Sequence, residues 1–341
     1  MRALREKIGL PLRSRNSYNT SSCYDSVRHY CLGIGDDNPL WYEKAYGRTS
    51  VLGENLAPPS FLFSIGIGVV QIGFPGVHGF HGGSDWRWFR PIRHGEEIQL
   101  LVWLDDVVER KSTMGGKSIV NYFSSVFFTP QKDVLAYLRS FTFRIERGAM
   151  RDRGKETSTA KNKTWTAEEL AEIERAYENE RIRGSQPRYW EDVTEGEELD
   201  PMIKGPLCLS DMIAFYAGSM VAPTPAHKIA YKDYKAHPKW WFRNPENGGL
   251  EPIVRVHENL QAAHNAGVPA PYDVAPTSRL GVKPYALEQE GRTDRLFAAR
   301  DPTRVGVKEA VEQEGGTRQR LKGSDQRAWN QDWPNGRRIE K

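Results

Sequence analysis

Long apolar runs are missing from this chain of 341 residues. No run reaches the roughly 18 residues that a membrane-spanning helix requires, and residues 1–7 lack the apolar core of a signal peptide. The mean hydropathy of −0.64 lies on the polar side. These absences argue against membrane and secreted proteins, and they predict a cytoplasmic protein with no membrane partner. The length allows two domains of ordinary size.

Cysteine and clustered metal ligands are also scarce. The three cysteines, Cys23, Cys31 and Cys208, have no metal-binding spacing, which favours reduced thiols in a cytosolic protein. His78 and His81 lie together in a glycine-rich stretch, but a third and a fourth ligand at a suitable spacing are missing. We therefore predict neither a metal site nor another cofactor.

Charge of one sign does not dominate the chain. The formal net charge is +4, and basic residues are scattered among acidic ones without a clear basic stripe. Nucleic-acid-binding proteins concentrate lysine and arginine on one face or along one helix. The sequence therefore predicts a mixed, solvated surface and no nucleic-acid partner.

A predicted helix and an acidic turn open the informative part of the sequence. Ser22 is a candidate N-cap with Asp25 in the capping-box position, and apolar residues recur after it at helical spacing. Gly33 and Gly35 predict the end of the helix. Residues 36–39 (DDNP) then predict a turn, because Asp, Asn and Pro all favour turns. A turn that only stops the helix is the alternative to a turn with a chemical role.

An apolar segment follows at residues 60–70, after two prolines that the first turn of a helix tolerates. It is apolar almost all round, so we predict a helix that is buried on most sides. Three later runs rich in β-branched and aromatic residues, 98–108, 117–129 and 134–145, predict long strands separated by turns. The order is therefore one buried helix followed by a meander of strands.

The acidic turn, the buried helix, the motif RPIRHGE at residues 90–96 and the long strands together resemble the MaoC-like acyl dehydratases of the hotdog superfamily. These include the (R)-specific enoyl-CoA hydratases. The resemblance covers residues 4–276 and is specific in the first half. It implies an α+β hotdog fold, in which an antiparallel sheet wraps a central helix, with one complete unit and an incomplete second unit.

The resemblance also implies the catalytic residues. Members of the family carry a hydratase motif, Asp-x-Asn-Pro-x-His. Asp36 and Asn38 fit it, but Trp41 stands where the histidine belongs. In the second half His227 fits the motif, whereas an alanine and a threonine replace the Asp and the Asn. The candidates are therefore Asp36 and His227, one in each half. Pseudo-twofold symmetry favours their lying in separate sites, and a composite dyad of the two residues is the alternative.

A substrate-binding set follows from the same resemblance. In the family, backbone N–H groups at the start of the central helix polarise a thioester carbonyl, and Ser60 and Phe61 occupy this place. A pocket-lining strand and the motif turn complete the predicted set, which comprises Asn38, Trp41, Ser60, Phe61, His78 and Trp86.

Composition divides the first half of the chain from a linker. Residues 1–147 are predicted to form the first hotdog unit. Residues 148–198 are a polar linker, in which Thr166 and Glu169 form a capping box for a helix that runs to about Arg183.

The second half is predicted to be incomplete. Residues 199–276 hold a partial second unit whose segment 228–270 reads as an irregular insertion. Residues 277–341 have few large aliphatic side chains, so they cannot offset their ordering entropy, and we predict a disordered tail. A shifted reading frame, a wrongly joined exon and a lineage-specific tail are the alternatives for its origin.

Three functions remain open. The first is an acyl-CoA hydratase or dehydratase, a hydro-lyase of fatty acid metabolism, weakened by Trp41. The second is a non-catalytic subunit that binds acyl thioesters and needs a catalytic partner. The third is a hotdog thioesterase, against which the lack of a carboxylate in residues 60–70 counts. The expected partners are an acyl-CoA or acyl-carrier thioester and either a second copy or another hotdog subunit.

Overall fold

The fold is known from a computed structural model, and all described residues fall within one compact unit formed by Met1–Ser185 and Asp200–Thr303. The described residues are 2–12, 19–50, 52–66, 77–111, 117–146, 165–182, 204–206, 208–219, 225–244, 246–259 and 262–263. The tail predicted at residues 277–341 lies outside them.

The described part of the chain contains both helices and strands. The helices are α1 (Arg2–Arg5), α2 (Tyr24–Ile34), α3 (Lys44–Thr49), α4 (Leu62–Ile65), α5 (Ala167–Glu178), α6 (Leu209–Ser219) and α7 (His227–Ala236). The strands are β1 (Pro11–Leu12), β2 (Leu56–Ala57), β3 (Val77–Trp88), β4 (Ile92–Arg93), β5 (Gln99–Lys111), β6 (Lys117–Phe128), β7 (Val134–Glu146), β8 (Trp241–Arg243) and β9 (Leu250–Pro252).

Five strands form one antiparallel sheet in the order β1-β5-β6-β7-β3. The three long strands predicted from the sequence correspond to β5, β6 and β7, and their bounds agree to within three residues. The α+β class and the antiparallel sheet are confirmed. The strands were predictable because their β-branched and aromatic residues suit a pleated, half-buried surface.

One face of the sheet packs on α2 and on the start of the predicted central helix. The main apolar cluster joins Tyr30 of α2, Phe61 and Leu62 near α4, and Phe127 and Leu138 of the sheet, all of which are buried. Burying such side chains stabilises the fold by about 1.5–3 kcal/mol each relative to exposing them. This cluster fixes the position of α2 over the sheet.

The central helix is shorter than the sequence predicts. A 3₁₀ turn, Pro59–Phe61, leads into α4, which ends at Ile65. Gly66 is extended, with φ 175°, and a Cβ on it would lie 2.3 Å from a methyl carbon of Leu100. The prediction of a helix that continues through residue 66 is therefore wrong, because the backbone turns to an extended conformation at Gly66, where the side chain of Leu100 packs closely. Residues 67–70 lie outside the described residues.

The capping predictions had mixed outcomes. Thr166 and Glu169 form the predicted capping box, and α5 ends at Glu178 instead of near residue 183. Ser22 is not the cap of α2, because its hydroxyl donates to the carbonyl of Arg93 at 2.6 Å and Cys23 stands at the N-cap position.

The irregular insertion predicted at residues 228–270 is partly wrong. The helix α7 and the hairpin of β8 and β9 fall within it. The indole nitrogen of Trp241 donates to the Asp233 carboxylate at 2.8 Å and ties the hairpin to the helix. The polar and aromatic residues that suggested irregularity instead form tertiary contacts that no periodicity reveals.

The helices α2 and α6 cross where Gly33 of the first meets Gly218 of the second. A Cβ on Gly33 would lie 2.7 Å from the Ala214 carbonyl oxygen, and one on Gly218 would lie 2.3 Å from the His29 carbonyl oxygen. The two contacts are equivalent, since each glycine meets the carbonyl of a residue four positions before the other glycine. A pseudo-twofold relation between the two helices follows from this pairing.

This crossing predicts the outcome of Gly218→Ala. Alanine is favoured over glycine by about 1 kcal/mol in an uncrowded helix, but overpacking costs about 1–3 kcal/mol, and the obstructing atoms are backbone atoms. We expect a lower Tm by calorimetry. The exposed neighbour Ala217 supplies the control, since Ala217→Leu should leave the Tm nearly unchanged. An unchanged or higher Tm for Gly218→Ala would mean that the helices do not cross here.

Candidate functional site

The acidic turn is held by its own side chains. Gly35 adopts φ 63° and ends α2 as predicted, and the amide of Asp36 donates to the Cys31 carbonyl at 3.0 Å. The Asp36 carboxylate accepts a hydrogen bond from the backbone N–H of Asn38 at 3.1 Å. The side-chain oxygen of Asn38 accepts one from the backbone N–H of Leu40, also at 3.1 Å. Asp36 is only 8% exposed. Both motif side chains therefore shape the backbone of the turn.

Trp41 is a core residue. Its side chain is 3% exposed and belongs to the main apolar cluster. The indole nitrogen is buried and has no hydrogen-bond partner among the described residues. The tryptophan thus fills, with an apolar ring, the volume directly beside the acidic turn. An imidazole at the same position would be smaller and would leave space there.

The start of the central helix is bound to α2. The Tyr30 hydroxyl donates to the Ser60 carbonyl at 2.6 Å in a buried contact. The amide of Phe61 donates to the Pro58 carbonyl at 2.8 Å, closing the 3₁₀ turn. The expectation that the Phe61 N–H is a free donor is therefore wrong, because the two prolines produce a 3₁₀ turn that uses it. The amide of Ser60 remains the candidate donor.

Aromatic rings line the sheet beside this helix start. Trp86 stacks on Trp88 with ring centroids 5.3 Å apart and on Phe127 at 5.4 Å, and the ring of Phe63 meets Trp86 edge-on at 5.1 Å. The Trp88 indole donates to the Pro59 carbonyl at 3.3 Å. Trp86 therefore lies near the helix start, as its predicted role requires. The backbone of His78 pairs with Ile145, and its side chain lies outside the described residues.

The second motif sits at the start of α7. His227 is the first residue of this helix, its side chain is exposed, and its φ is 52°. Residues 220–224, which connect it to α6, lie outside the described residues. Asp36 follows α2 and His227 follows α6, so the two motifs extend from the crossing pair of helices. Their relation to one another stays a prediction.

The RPIRHGE motif is a structural turn. Arg90 and Glu96 form an ion pair at 2.7 Å, and the other Glu96 oxygen accepts from the Arg93 amide at 2.9 Å. Gly95 has φ 83°, a conformation that glycine adopts without strain. Its amide donates to the Ser22 carbonyl at 2.9 Å. The motif thus anchors the segment that leads into α2.

His94 is a residue of this motif to which the sequence gave no role. Its ring nitrogen Nε2 lies 3.1 Å from the Leu56 carbonyl oxygen, and the Trp41 carbonyl also favours the protonated ring. Burial lowers the pKa of His94 below its ordinary value, because desolvation outweighs the two carbonyls and the nearby Glu54. Its position in the sequence motif was the only available signal.

The lowered pKa predicts a pH dependence of stability. Because the unfolded chain binds a proton more readily than folded His94, the free energy of unfolding should fall as the pH drops from about 7.5 to about 5. His94→Gln keeps a donor for Leu56 and should flatten this part of the curve in denaturant titrations. His29→Gln, at an exposed position of α2, is the control that should follow the wild-type curve. Parallel curves for His94→Gln and wild type would contradict the assignment.

Among the described residues, no group of three or more His, Cys, Asp or Glu side chains is placed to hold a metal ion. No helix in the same ranges has the length and apolarity to cross a membrane.

The family comparison supports the resemblance. Residues 23–126 match the family described as FAS1-like, dehydratase domain region. A UPF0336 protein of Streptomyces griseus is 25% identical over 104 residues, which cover 28% of this chain and 67% of the relative. A UPF0336 protein of Streptomyces avermitilis is 23% identical over the same length, with the same coverage.

One solved structure of a MaoC-like dehydratase agrees with this chain in fold. A MaoC-like dehydratase superposes with a TM-score of 0.50 and 14% identity, over 82% of this chain and 76% of that one. The ChsH1-ChsH2 complex from Mycobacterium tuberculosis gives a TM-score of 0.36 and 17% identity, over 43% of this chain and 98% of that one. The recognition made from the sequence is thus supported by a dehydratase-region family model over residues 23–126 and by the fold of a MaoC-like dehydratase.

Proposed function

We propose that this chain binds acyl thioesters in the cytoplasm and slowly catalyses the hydration of 2-enoyl thioesters or the reverse dehydration. The observation that carries the proposal is the hydrogen bond from the Tyr30 hydroxyl to the Ser60 carbonyl. It fixes the helix that leads into the Asp36 turn against the helix start that would receive a thioester carbonyl. The relation to MaoC-like dehydratases agrees with this chemistry.

The proposed roles follow from what hydration requires. A base activates water and an acid protonates carbon, while a donor stabilises the charge that develops on the carbonyl oxygen. Asp36 is the one acid–base group left in the first motif, and the Ser60 amide takes the donor role. His227 of the second motif carries the residual acid–base chemistry. Trp41 cannot complete the pair, because an indole N–H only donates. Asn38 orders the turn, and Trp86 lies beside the acyl chain.

A non-catalytic binding subunit is the second candidate, and the state of the motif favours it. Trp41 is buried in the core, and the Asp36 carboxylate already accepts a backbone amide. In this case a partner supplies catalysis. The edge strand β3 pairs on one side only within the described sheet, and an open edge of this length is a natural pairing surface. We propose a homodimer or a hetero-oligomer with another hotdog subunit.

The proposed organisation has one complete hotdog unit at residues 1–147 and a partial second unit at 199–276. The equivalent contacts of Gly33 and Gly218 support a pseudo-twofold relation between the units. Residues 148–198 connect them through α5. A disordered tail at 277–341 stays a prediction that rapid amide exchange and protease sensitivity would support.

The proposal is tested with a panel of 2-enoyl-CoA and 3-hydroxyacyl-CoA thioesters, for which turnover and binding are measured side by side. Binding with slow turnover supports the hydratase. Binding without turnover that a partner subunit restores supports the binding subunit. Hydrolysis of the thioester bond would instead identify a thioesterase, and a failure to bind any thioester would refute both proposals.

A further inference from the structure

The buried face of the sheet changes character along its length. Near the helix start it is apolar and aromatic, with Trp86, Leu138 and Ala136. Towards the other end, polar side chains of β6 and β7 lie beside a second apolar cluster that includes Phe123 and Leu104. Asn121 lies opposite Thr142 in the strand register, and both side chains are buried. A sheet face that only packed on an apolar core would not need this change.

The polar groups at this end lack hydrogen-bond partners among the described residues. The polar end is defined as Asn121, Thr142 and Arg144. Both side-chain polar atoms of Asn121, the hydroxyl of Thr142 and the Nε of Arg144 are buried without such a partner. Each such group costs free energy unless it is satisfied. The three residues together form a candidate site for a polar ligand.

Arg144 gives the site its charge. Arg144 is 7% exposed, and its burial lowers the pKa of the guanidinium. The guanidinium reaches across to the edge strand, where its Nη1 lies 3.9 Å from the position of a Cβ on Gly79. Arg139 of the same strand points to the other face and pairs with Asp105 at 3.6 Å. Among the described residues, one arginine of β7 is therefore paired with a carboxylate, and the buried Arg144 is not.

An anionic group is the ligand that this arrangement selects. Water satisfies hydrogen bonds but does not neutralise a buried charge, whereas a carboxylate does both. Its two oxygens match the fork of a guanidinium and accept from amide and hydroxyl groups as well.

Distance along the strand relates this site to the candidate catalytic site. Leu138 lies opposite Trp86, and Thr142 and Arg144 follow four and six residues later. At about 3.3 Å per residue these spacings are about 13 and 20 Å. The distance from the helix start to the polar end therefore matches the length of an extended acyl chain.

We propose that the polar end receives a carboxylate at the distal end of the acyl chain, so that the preferred substrates are ω-carboxyacyl thioesters. This proposal rests on the proposed function, which supplies the thioester. It adds a substrate class that the motif residues do not specify.

The test compares pairs of saturated acyl-CoA thioesters of equal chain length, one ending in a methyl group and one in a carboxylate. Calorimetric affinities for the full chain should favour the carboxylate once the acyl chain is long enough to reach Arg144. Arg144→Met should weaken binding of the carboxylate series about tenfold to a hundredfold, as expected for hydrogen bonds to charged groups. Binding of the methyl series should be unchanged or tighter.

Further variants separate charge from folding. Asn121→Leu and Thr142→Val keep the approximate volume and should reduce the carboxylate preference less than Arg144→Met does. Arg139→Met is the matched control on the opposite face and should leave the preference intact. Arg144→Met should also raise the Tm of the free protein, since an uncompensated buried charge is removed. A lower Tm would show that Arg144 has a partner within the protein and would overturn the inference.

The outcomes distinguish this inference from the proposed function. If the methyl series binds and the carboxylate series binds no better at any length, the polar end is not a carboxylate site, while thioester binding stands. If Arg144→Met and Arg139→Met change the preference equally, the effect is general electrostatics and the inference fails. If neither series binds, the proposed function itself is refuted.

Discussion

Trp41→Ala should lower the free energy of unfolding by about 3–5 kcal/mol, the range typical of truncating a buried large aromatic side chain. The side chain is 3% exposed and packs in the main apolar cluster beside the acidic turn. Chemical denaturation at equilibrium measures the loss. Trp41→Phe should cost much less, because it keeps most of the ring volume and removes an indole N–H that is buried without a partner in the described part of the chain.

The control for this experiment is Trp240→Ala. Trp240 is 42% exposed, so its truncation should change the free energy of unfolding by less than about 1 kcal/mol. If Trp41→Ala were as mild as Trp240→Ala, Trp41 would not be a core residue, and the first motif would have an open position where its histidine is missing.

Residual hydration of crotonyl-CoA should depend on His227. The second motif keeps its histidine, and losing one member of an acid–base pair typically slows a reaction by about 10²–10⁴-fold. His227→Ala should therefore reduce the residual rate within this range and leave the affinity for saturated acyl-CoA unchanged. Asp36→Ala should reduce it less, because Asp36 in the first motif lacks its histidine partner.

His237→Ala is the matched control, since His237 ends the helix that His227 begins. It should leave the rate unchanged. An equal loss of rate in both histidine variants would show that the helix as a whole matters and that His227 has no role of its own. A larger loss in Asp36→Ala than in His227→Ala would place the chemistry at the first motif.

The sequence predicted the features that local patterns encode. The strands β5, β6 and β7 follow from runs of β-branched and aromatic residues, and the end of α2 follows from Gly35, which adopts φ 63°. The capping box of α5 is likewise local, because Thr166 and Glu169 are three residues apart.

Features that depend on distant contacts were not predictable. Ser22 has the sequence of an N-cap, but its hydroxyl binds the carbonyl of Arg93, 71 positions away. The central helix stops before Gly66, beside which the side chain of Leu100 occupies the space. No periodicity of the apolar segment records that neighbour.

The candidate site divides in the same way. The motif turn was recognised from Asp36 and Asn38, and their side chains do shape one turn. The use of the Phe61 amide by Pro58 and the burial of Trp41 required the tertiary structure. The polar end of the sheet could not be predicted from the sequence, because Asn121 and Arg144 become neighbours only through the register of β6 and β7.

The central claim is that the chain binds acyl thioesters while Trp41 deprives the first motif of half its acid–base pair. The most direct test compares hydration of crotonyl-CoA by wild type and Trp41→His, with the affinity for butyryl-CoA measured on the same samples at a temperature at which both are folded. The account predicts similar affinities, slow or undetectable hydration by wild type and at least about tenfold faster hydration by Trp41→His, a gain within the range of general acid–base catalysis. Fast hydration by wild type that Trp41→His does not increase, or a lack of butyryl-CoA binding, would contradict it.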